Sequence, residues 1–182
     1  MHPIDDINKS RISDKDYAAG VVAEMTAAIS RDPEDRRAYV MRGNHHLDTG
    51  NLDEAVRDFT MAIELDPTDS MAFNNRGVAY RRTEQADLAI ADFDYALKLD
   101  PDYREAFNNR GMTRSDGYDY EAAVEDFTRA IEIDPDYWFA YNHRAMARWA
   151  LGDKAGAIED YERVSKFMGR DAGPRGTHGF TR

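Results

Sequence analysis

The stretch DPTDSMAFNNRGVAYRRTEQADLAIADFDYALKLDP, residues 66–101, opens and closes on Asp-Pro. The same dipeptide stands thirty-four residues to either side, at Asp32-Pro33 and Asp134-Pro135. A fixed period of this size marks a solenoid, in which each copy buries its apolar face only against its neighbours. Inside the stretch, Ala89, Phe93, Ala96 and Leu99 are spaced four, three and three residues apart. That spacing is helical rather than the alternation of a strand. The pattern returns as Ala55, Phe59, Ala62, Leu65 and as Ala123, Phe127, Ala130, Ile133. Asp-Pro is expected to end each of these helices, because the residue before Pro avoids the α region and Pro suits the first turn of the next helix.

Working outward, each copy opens on Ala-aromatic (Ala38-Tyr39, Ala72-Phe73, Ala106-Phe107, Ala140-Tyr141), followed by Arg-Gly in three copies and Arg144-Ala145 in the fourth. A turn then divides the copy into two helices. Gly50 and Gly152 mark it in the outer copies, Gly117 marks it one residue early in the third, and Thr83-Glu84-Gln85 replaces it in the second. The expected units are 36–69, 70–103, 104–137 and 138–169. Upstream, Met25, Ala28 and Pro33 fall one period before Phe59, Ala62 and Pro67, so 14–35 reads as a worn half-repeat that caps the stack. Residues 1–13 read as a partly disordered segment. The glycines and proline of 170–182 read as a flexible tail.

This pattern resembles the tetratricopeptide repeat. In that family, helix–turn–helix units carry small residues where two helices touch, an aromatic late in the second helix, and a terminal Pro. Gly43, Gly77 and Gly111, with Ala55, Ala89, Ala123 and Ala157, stand where the family needs close helix approach. The family's first-helix Tyr survives only as Tyr80, with His46, Arg114 and Arg148 in the other copies. The resemblance implies an all-α, right-handed superhelical array of antiparallel helix hairpins. Such arrays often end in an extra solvating helix. The glycines from Gly169 onward predict that none forms here, which leaves Ile158, Tyr161, Val164 and Phe167 without cover.

The 182 residues are 42% hydrophobic and 11% aromatic, a folded-protein composition. A net charge of −11 and a pI near 4.9 argue against nucleic-acid and anionic-membrane partners, both of which need a basic footprint. The chain has no cysteine, and therefore no disulfide framework or thiolate chemistry. With an acidic N-terminus and no long apolar run, the expectation is a cytoplasmic protein. No metalloprotease, nucleophile-elbow, phosphate-loop or dinucleotide motif occurs, so no enzyme, cofactor or metal site is expected. His45 and His46 are neighbours on a helix and diverge by about a hundred degrees, so they cannot chelate one ion alone.

Two patterns remain. Arg42, Arg76, Arg110 and Arg144 are each followed sixteen residues later by Asp58, Asp92, Asp126 and Asp160. They read either as a cationic row for acidic partners or, favoured because both partners travel together in all four copies, as internal Arg–Asp bridges. The second pattern is Asn on the first helix of each copy. It occurs as Asn44, Asn74 with Asn75, Asn108 with Asn109, and Asn142. Asn costs about half a kcal/mol against Ala per interior helix position, so pairs of it do not serve helix stability.

By the resemblance, first helices line a concave groove. The candidate peptide-binding residues are these Asn together with Met71, Val78, Met112, Phe139, Met146 and Trp149. An amide both donates and accepts, so an Asn ladder suits the backbone of an extended peptide. The family's glycosyltransferase superhelix is similar in using such a ladder, with Asn75 and Asn109 at the matching places. The alternative is that the Asn are ordinary exposed helix residues inherited by duplication. The five-residue carboxylate clamp of co-chaperone members maps onto Val40, Asn44, Asn75, Glu105 and Asn109. All three clamp cations are missing, so a chaperone C-terminal carboxylate is not the expected ligand. The expected function is a non-catalytic protein–protein interaction scaffold that holds an extended or helical peptide of a partner. The alternatives are a self-assembly module, homo-oligomeric through the last helix or tail, and a small acidic secretion-type chaperone.

Overall fold

Each Asp-Pro step does more than stop a helix. The carboxylate Oδ1 of Asp32, Asp66, Asp100 and Asp134 accepts the backbone N–H two residues on, past the proline, at 2.9–3.1 Å. The chain is thereby turned toward the next helix by an Asx turn. Asp66 and Asp134 are extended (φ −144° and −133°), as a residue before proline must be. Three residues after the dipeptide's Asp, Asp35 and Asp69 cap the following helix by accepting from the N–H of Ala38 and of Met71 and Ala72.

The computed structural model describes residues 14–171, and all regular structure among them is helical. The helices are α1 (Asp14–Arg31), α2 (Arg36–Thr49), α3 (Leu52–Leu65), α4 (Ser70–Arg82), α5 (Ala86–Leu99), α6 (Arg104–Asp116), α7 (Tyr120–Ile133), α8 (Trp138–Ala150) and α9 (Lys154–Asp171). The chain divides into two units between Gln85 and Ala86. Successive helices pack on one another within each, α1 to α4 in the first and α5 to α9 in the second.

In the first unit Phe59 is fully buried among Ala55 and Ala79, with Leu47 and Val56 against them. A Cβ on Gly43 would come within 2.9 Å of its ring, so glycine sets the approach of α2 to α3. In the second unit Phe127 packs on Ala123 and Ala147, and a Cβ on Gly111 would lie 2.7 Å from the ring. A second layer joins neighbouring hairpins. Tyr39, Ala62 and Ala72 meet with Ile29 of α1 in the first unit, and Ala130, Ala140 and Tyr141 meet with Val164 in the second.

Three of the Arg–Asp pairs, each within one unit, are internal. Arg42 grips Asp58 with Nε at 2.9 Å and Nη2 at 2.7 Å, and Arg144 grips Asp160 at the same two distances. Arg110 holds Asp126 in the same forked manner. Each arginine also reaches back sixteen residues: Arg42 to Thr26, Arg76 to Thr60, Arg144 to Thr128 (3.0–3.1 Å), and Arg110 to Asp94. In Arg42, Arg110 and Arg144 one guanidinium thus ties a first helix to the second helices on both sides. The places vacated by the family Tyr join in. Arg114 and Arg148 donate to the same buried carboxylates, Asp126 and Asp160, at 2.8 and 3.0 Å.

In the first unit that place holds His46, whose Nε2 stands 3.9 Å from Asp58. Burial pushes the His46 pKa below its ordinary value, against the pull of Asp58. The unfolded chain therefore binds the proton more readily than the fold does. This contribution to stability is full above about pH 6.5 and is lost as pH falls through that value toward the lowered folded pKa. The melting temperature is expected to fall more between pH 7.5 and 5.5 for the native chain than for His46→Gln, as followed by circular dichroism.

Three expectations change. The left-handed turn residue recurs at Gly50, Glu84, Tyr118 and Gly152, with φ between 61° and 84°. Gly117 has φ −86° and is not the turn residue of its copy. The period fixes the turn at Tyr118, although a side chain there costs on the order of 1 kcal/mol. At the C-terminus, Val164 is buried and Phe167 packs beside Tyr141, their ring centroids 6.1 Å apart, so two of the four residues expected to lack cover are covered by their own hairpin. Ile158 and Tyr161 do face outward. Helix α9 also passes through Gly169, beyond the boundary read at 169, since one glycine costs only about 1 kcal/mol. The expectations for 1–13 and for the tail beyond Asp171 lie outside the described residues.

Candidate functional site

The first helices of the two units carry the expected amides, but not all of them outward. Successive helical residues diverge by about a hundred degrees, so of two adjacent Asn only one can face solvent fully. In the first unit Asn74 is 5% exposed and donates to Asn75 Oδ1 at 3.0 Å, and Asn75 donates to Asn44 Oδ1 at 2.8 Å. This relay links α4 to α2. Asn44 and Asn75 are half-buried beside exposed Met71 and half-buried Val78. Each amide can make about four hydrogen bonds, so the relay leaves capacity on both.

In the second unit Asn108 is 4% exposed. Its amide nitrogen donates to Met112 Sδ at 3.5 Å, and its oxygen faces His143 Nδ1 at 2.9 Å. With the oxygen accepting, His143 carries its proton on Nδ1. Asn109 and Asn142 are half-buried, and Phe139, Met146 and Trp149 are exposed. Phe139 stacks on Trp138 with ring centroids 3.7 Å apart, which fixes it at the start of α8. Trp149 lies under the Lys154 ammonium, 5.7 Å from its ring centroid.

Between α6 and α8 the surface sinks into a cavity of about 220 Å³. Phe127 of α7 contributes to its wall, as do Met112 and Met146, while Asn142, His143, Ser115 and Asp116 supply the polar groups. Phe127 and His143 pack with ring centroids 5.6 Å apart. The structure therefore brings Met112, Asn142 and Met146 of the expected set to one concavity. His143 and Asp116 complete the lining, and Phe127 and Ser115 join it without having been expected there. Ser115 sits in the last turn of α6 and Phe127 on a second helix, places that the Asn pattern of the first helices does not reach. The α6/α8 face carries Glu105 and Asp116. Arg104 donates from Nε to Glu105 at 2.9 Å and is also engaged by Asp134 and the Tyr137 ring.

The tetratricopeptide repeat profile matches residues 22–70, 40–104, 74–137 and 108–173. The chain belongs to the tetratricopeptide repeat family. Its fold is an all-α tetratricopeptide solenoid. Among solved structures, MamA is similar with a TM-score of 0.78 at 20% identity, covering 87% of this chain and 92% of MamA. YrrB, described as a tetratricopeptide protein with an unusual peptide-binding site, has a TM-score of 0.68 at 20% identity, covering 87% and 81%. The first tetratricopeptide domain of human RPAP3 has a TM-score of 0.64 at 28% identity, covering 68% and 97%. A structure of that domain of RPAP3 holds an HSP90 peptide, SRMEEVD. No curated protein matches the chain. No helix among the described residues is long and apolar enough to cross a membrane. Tetratricopeptide domains are in general protein-interaction modules.

Proposed function

We propose that this tetratricopeptide chain is a non-catalytic scaffold that captures a peptide segment of a partner protein on the α6/α8 face, in a cytoplasmic setting. The observation that carries the reading is the concavity between those helices. There the thioethers of Met112 and Met146 adjoin the Asn142 amide, and Asn108, hydrogen-bonded to Met112 and His143, braces two of the lining side chains. Such a site pairs adaptable apolar contact with groups that satisfy a peptide backbone. The α2/α4 face of the first unit, with Asn44, Asn75 and Met71, has the same composition. A terminal carboxylate of the kind bound by clamp members is the wrong ligand for this face. Glu105 stands where a clamp cation is required, and its partner Arg104 is already occupied by Asp134.

The test is selection of peptides from a displayed random library on the intact chain, followed by calorimetry. Asn109→Ala with Asn142→Ala is expected to weaken the selected peptides at least tenfold, about 1.4 kcal/mol. The melting temperature should move by only a degree or two. Unchanged affinity would count against the site.

A second reading, self-association, is favoured by α9. Tyr161 is 40% exposed, whereas Phe127 and Phe59, one and three periods before it, are buried under the next first helix. Sedimentation equilibrium is expected to show an oligomer that Tyr161→Glu dissociates. A native monomer at all concentrations removes this reading.

A further inference from the structure

We propose that α9 pairs with α9 of a second copy of this chain, the two helices running antiparallel about a two-fold axis that passes near residue 163. This rests on the self-association reading and deepens it. In earlier copies Val56 and Phe59 are packed by Ala79 of the following first helix, and Val124 and Phe127 by Ala147. The matching places on α9 hold Ile158 and Tyr161, and both are exposed. Ser165 and Met168, also exposed, continue the stripe. Its spacing of three, four and three residues is that of the seam between two paired helices.

Charge and shape on α9 single out a second copy as the occupant. Antiparallel pairing about residue 163 sets Ile158 against Met168 of the second copy and Tyr161 against its Ser165, so large side chains do not collide at the centre. One flank of the stripe is closed, because Ala157 and Val164 are buried in their own hairpin. The open flank carries Glu162 and Lys166, both exposed and one turn apart. An antiparallel two-fold brings open flank to open flank, with Glu162 of each copy opposite Lys166 of the other. A parallel pair would set the open flank against the closed one and leave these charges unmatched. The match also offsets part of the repulsion between two chains that each carry a net charge of −11. From Ile158 to Met168 the stripe is about 15 Å long, so the interface is small and the dimer is expected to dissociate in the micromolar range or above.

The experiment is sedimentation equilibrium of the full chain at low salt. Glu162→Lys and Lys166→Glu, both exposed changes, are each expected to weaken the dimer about tenfold, since each replaces two opposite-charge pairs by two like-charge pairs. An equal mixture of the two variants restores both pairs and is expected to return to within about threefold of native. The chain has no cysteine, so the register can be read separately by disulfide formation. Ile158→Cys chain mixed with Met168→Cys chain is expected to give the mixed disulfide, and Ile158→Cys chain alone none. A native dimer whose charge variants are not rescued by mixing, or in which Ile158→Cys links to itself, overturns the antiparallel pairing while leaving self-association standing. A native chain that is monomeric throughout removes the self-association reading and this one with it. If removing residues 172–182 then produces a dimer, the stripe belongs to the chain's own C-terminal segment instead.

Discussion

Asp126→Ala is expected to lower stability by about 3 kcal/mol, or roughly 6–12 °C in melting temperature for a chain of this size. The carboxylate is buried to within 3% and is shared by two arginines, Arg110 through a fork and Arg114 through Nη1 at 2.8 Å. Removing it takes the carboxylate from Arg114 and leaves Arg110 only the exposed Asp94, and the cost of that exceeds the net value of the intact bridge. Arg110 and Arg114 keep 17% and 24% of their side-chain surface in water. They can partly rehydrate, which places the effect at the lower end of the range for broken buried pairs. The neighbouring Glu125→Ala, on the exposed face of α7, should change stability by less than about 0.5 kcal/mol. Asp126→Leu combined with Arg110→Met and Arg114→Met should recover much of the loss, because the one charge then left without its partner, Asp94, is exposed to water. Thermal and urea unfolding of the four proteins measure this. A loss from Asp126→Ala no larger than that from Glu125→Ala would show that the bridge is not framework.

Phe59→Ala is expected to cost about 3–5 kcal/mol, enough to unfold the first unit at moderate temperature. The ring is fully buried and fills the space between Gly43 of its own hairpin and Ala79 of the next first helix. Small residues on both sides leave only Leu47 and Val56 at the edge to fill the void, so a cavity term adds to the lost transfer energy. The contact also predicts a coupling. Gly43→Ala alone must force the ring aside by a few tenths of an ångström, since the new Cβ lies 2.9 Å from Cε1. In a Phe59→Leu background that obstruction is gone, and Gly43→Ala should become less harmful or stabilising through its better helix propensity. A double-mutant cycle by urea unfolding reads the difference. Additive effects would mean that the glycine is there for another reason.

Much of the architecture is legible in the letters because a solenoid is held by neighbours one period apart. Asp-Pro at every thirty-fourth residue, with Phe and Ala at helical intervals between, is enough to place the hairpins. The Arg–Asp spacing of sixteen was legible for the same reason. The double reach of each arginine was not, because Thr26, Thr60 and Thr128 are ordinary helix residues whose role depends on how one hairpin sits on the next. Left-handed Glu84 and Tyr118 could not be seen either, since their residue types argue against that conformation and only the period demands it.

The candidate site was legible by helix but not by residue. The Asn pairs marked α4 and α6, yet Asn74 and Asn108 turn inward and act as braces for Asn75 and His143. Phe127 reads as core from its spacing and is core, and its ring also contributes to the wall of the cavity, a double role that no linear pattern carries.

The central claim is that a partner segment lies on the α6/α8 face. Its most direct test is photo-crosslinking of a library-selected peptide to the full chain carrying p-benzoylphenylalanine in place of exposed Met146, compared with the same group in place of exposed Glu125 on α7. The account predicts a crosslink from position 146 that excess unlabelled peptide abolishes, and none from position 125. A crosslink from position 125 with none from position 146 would contradict it.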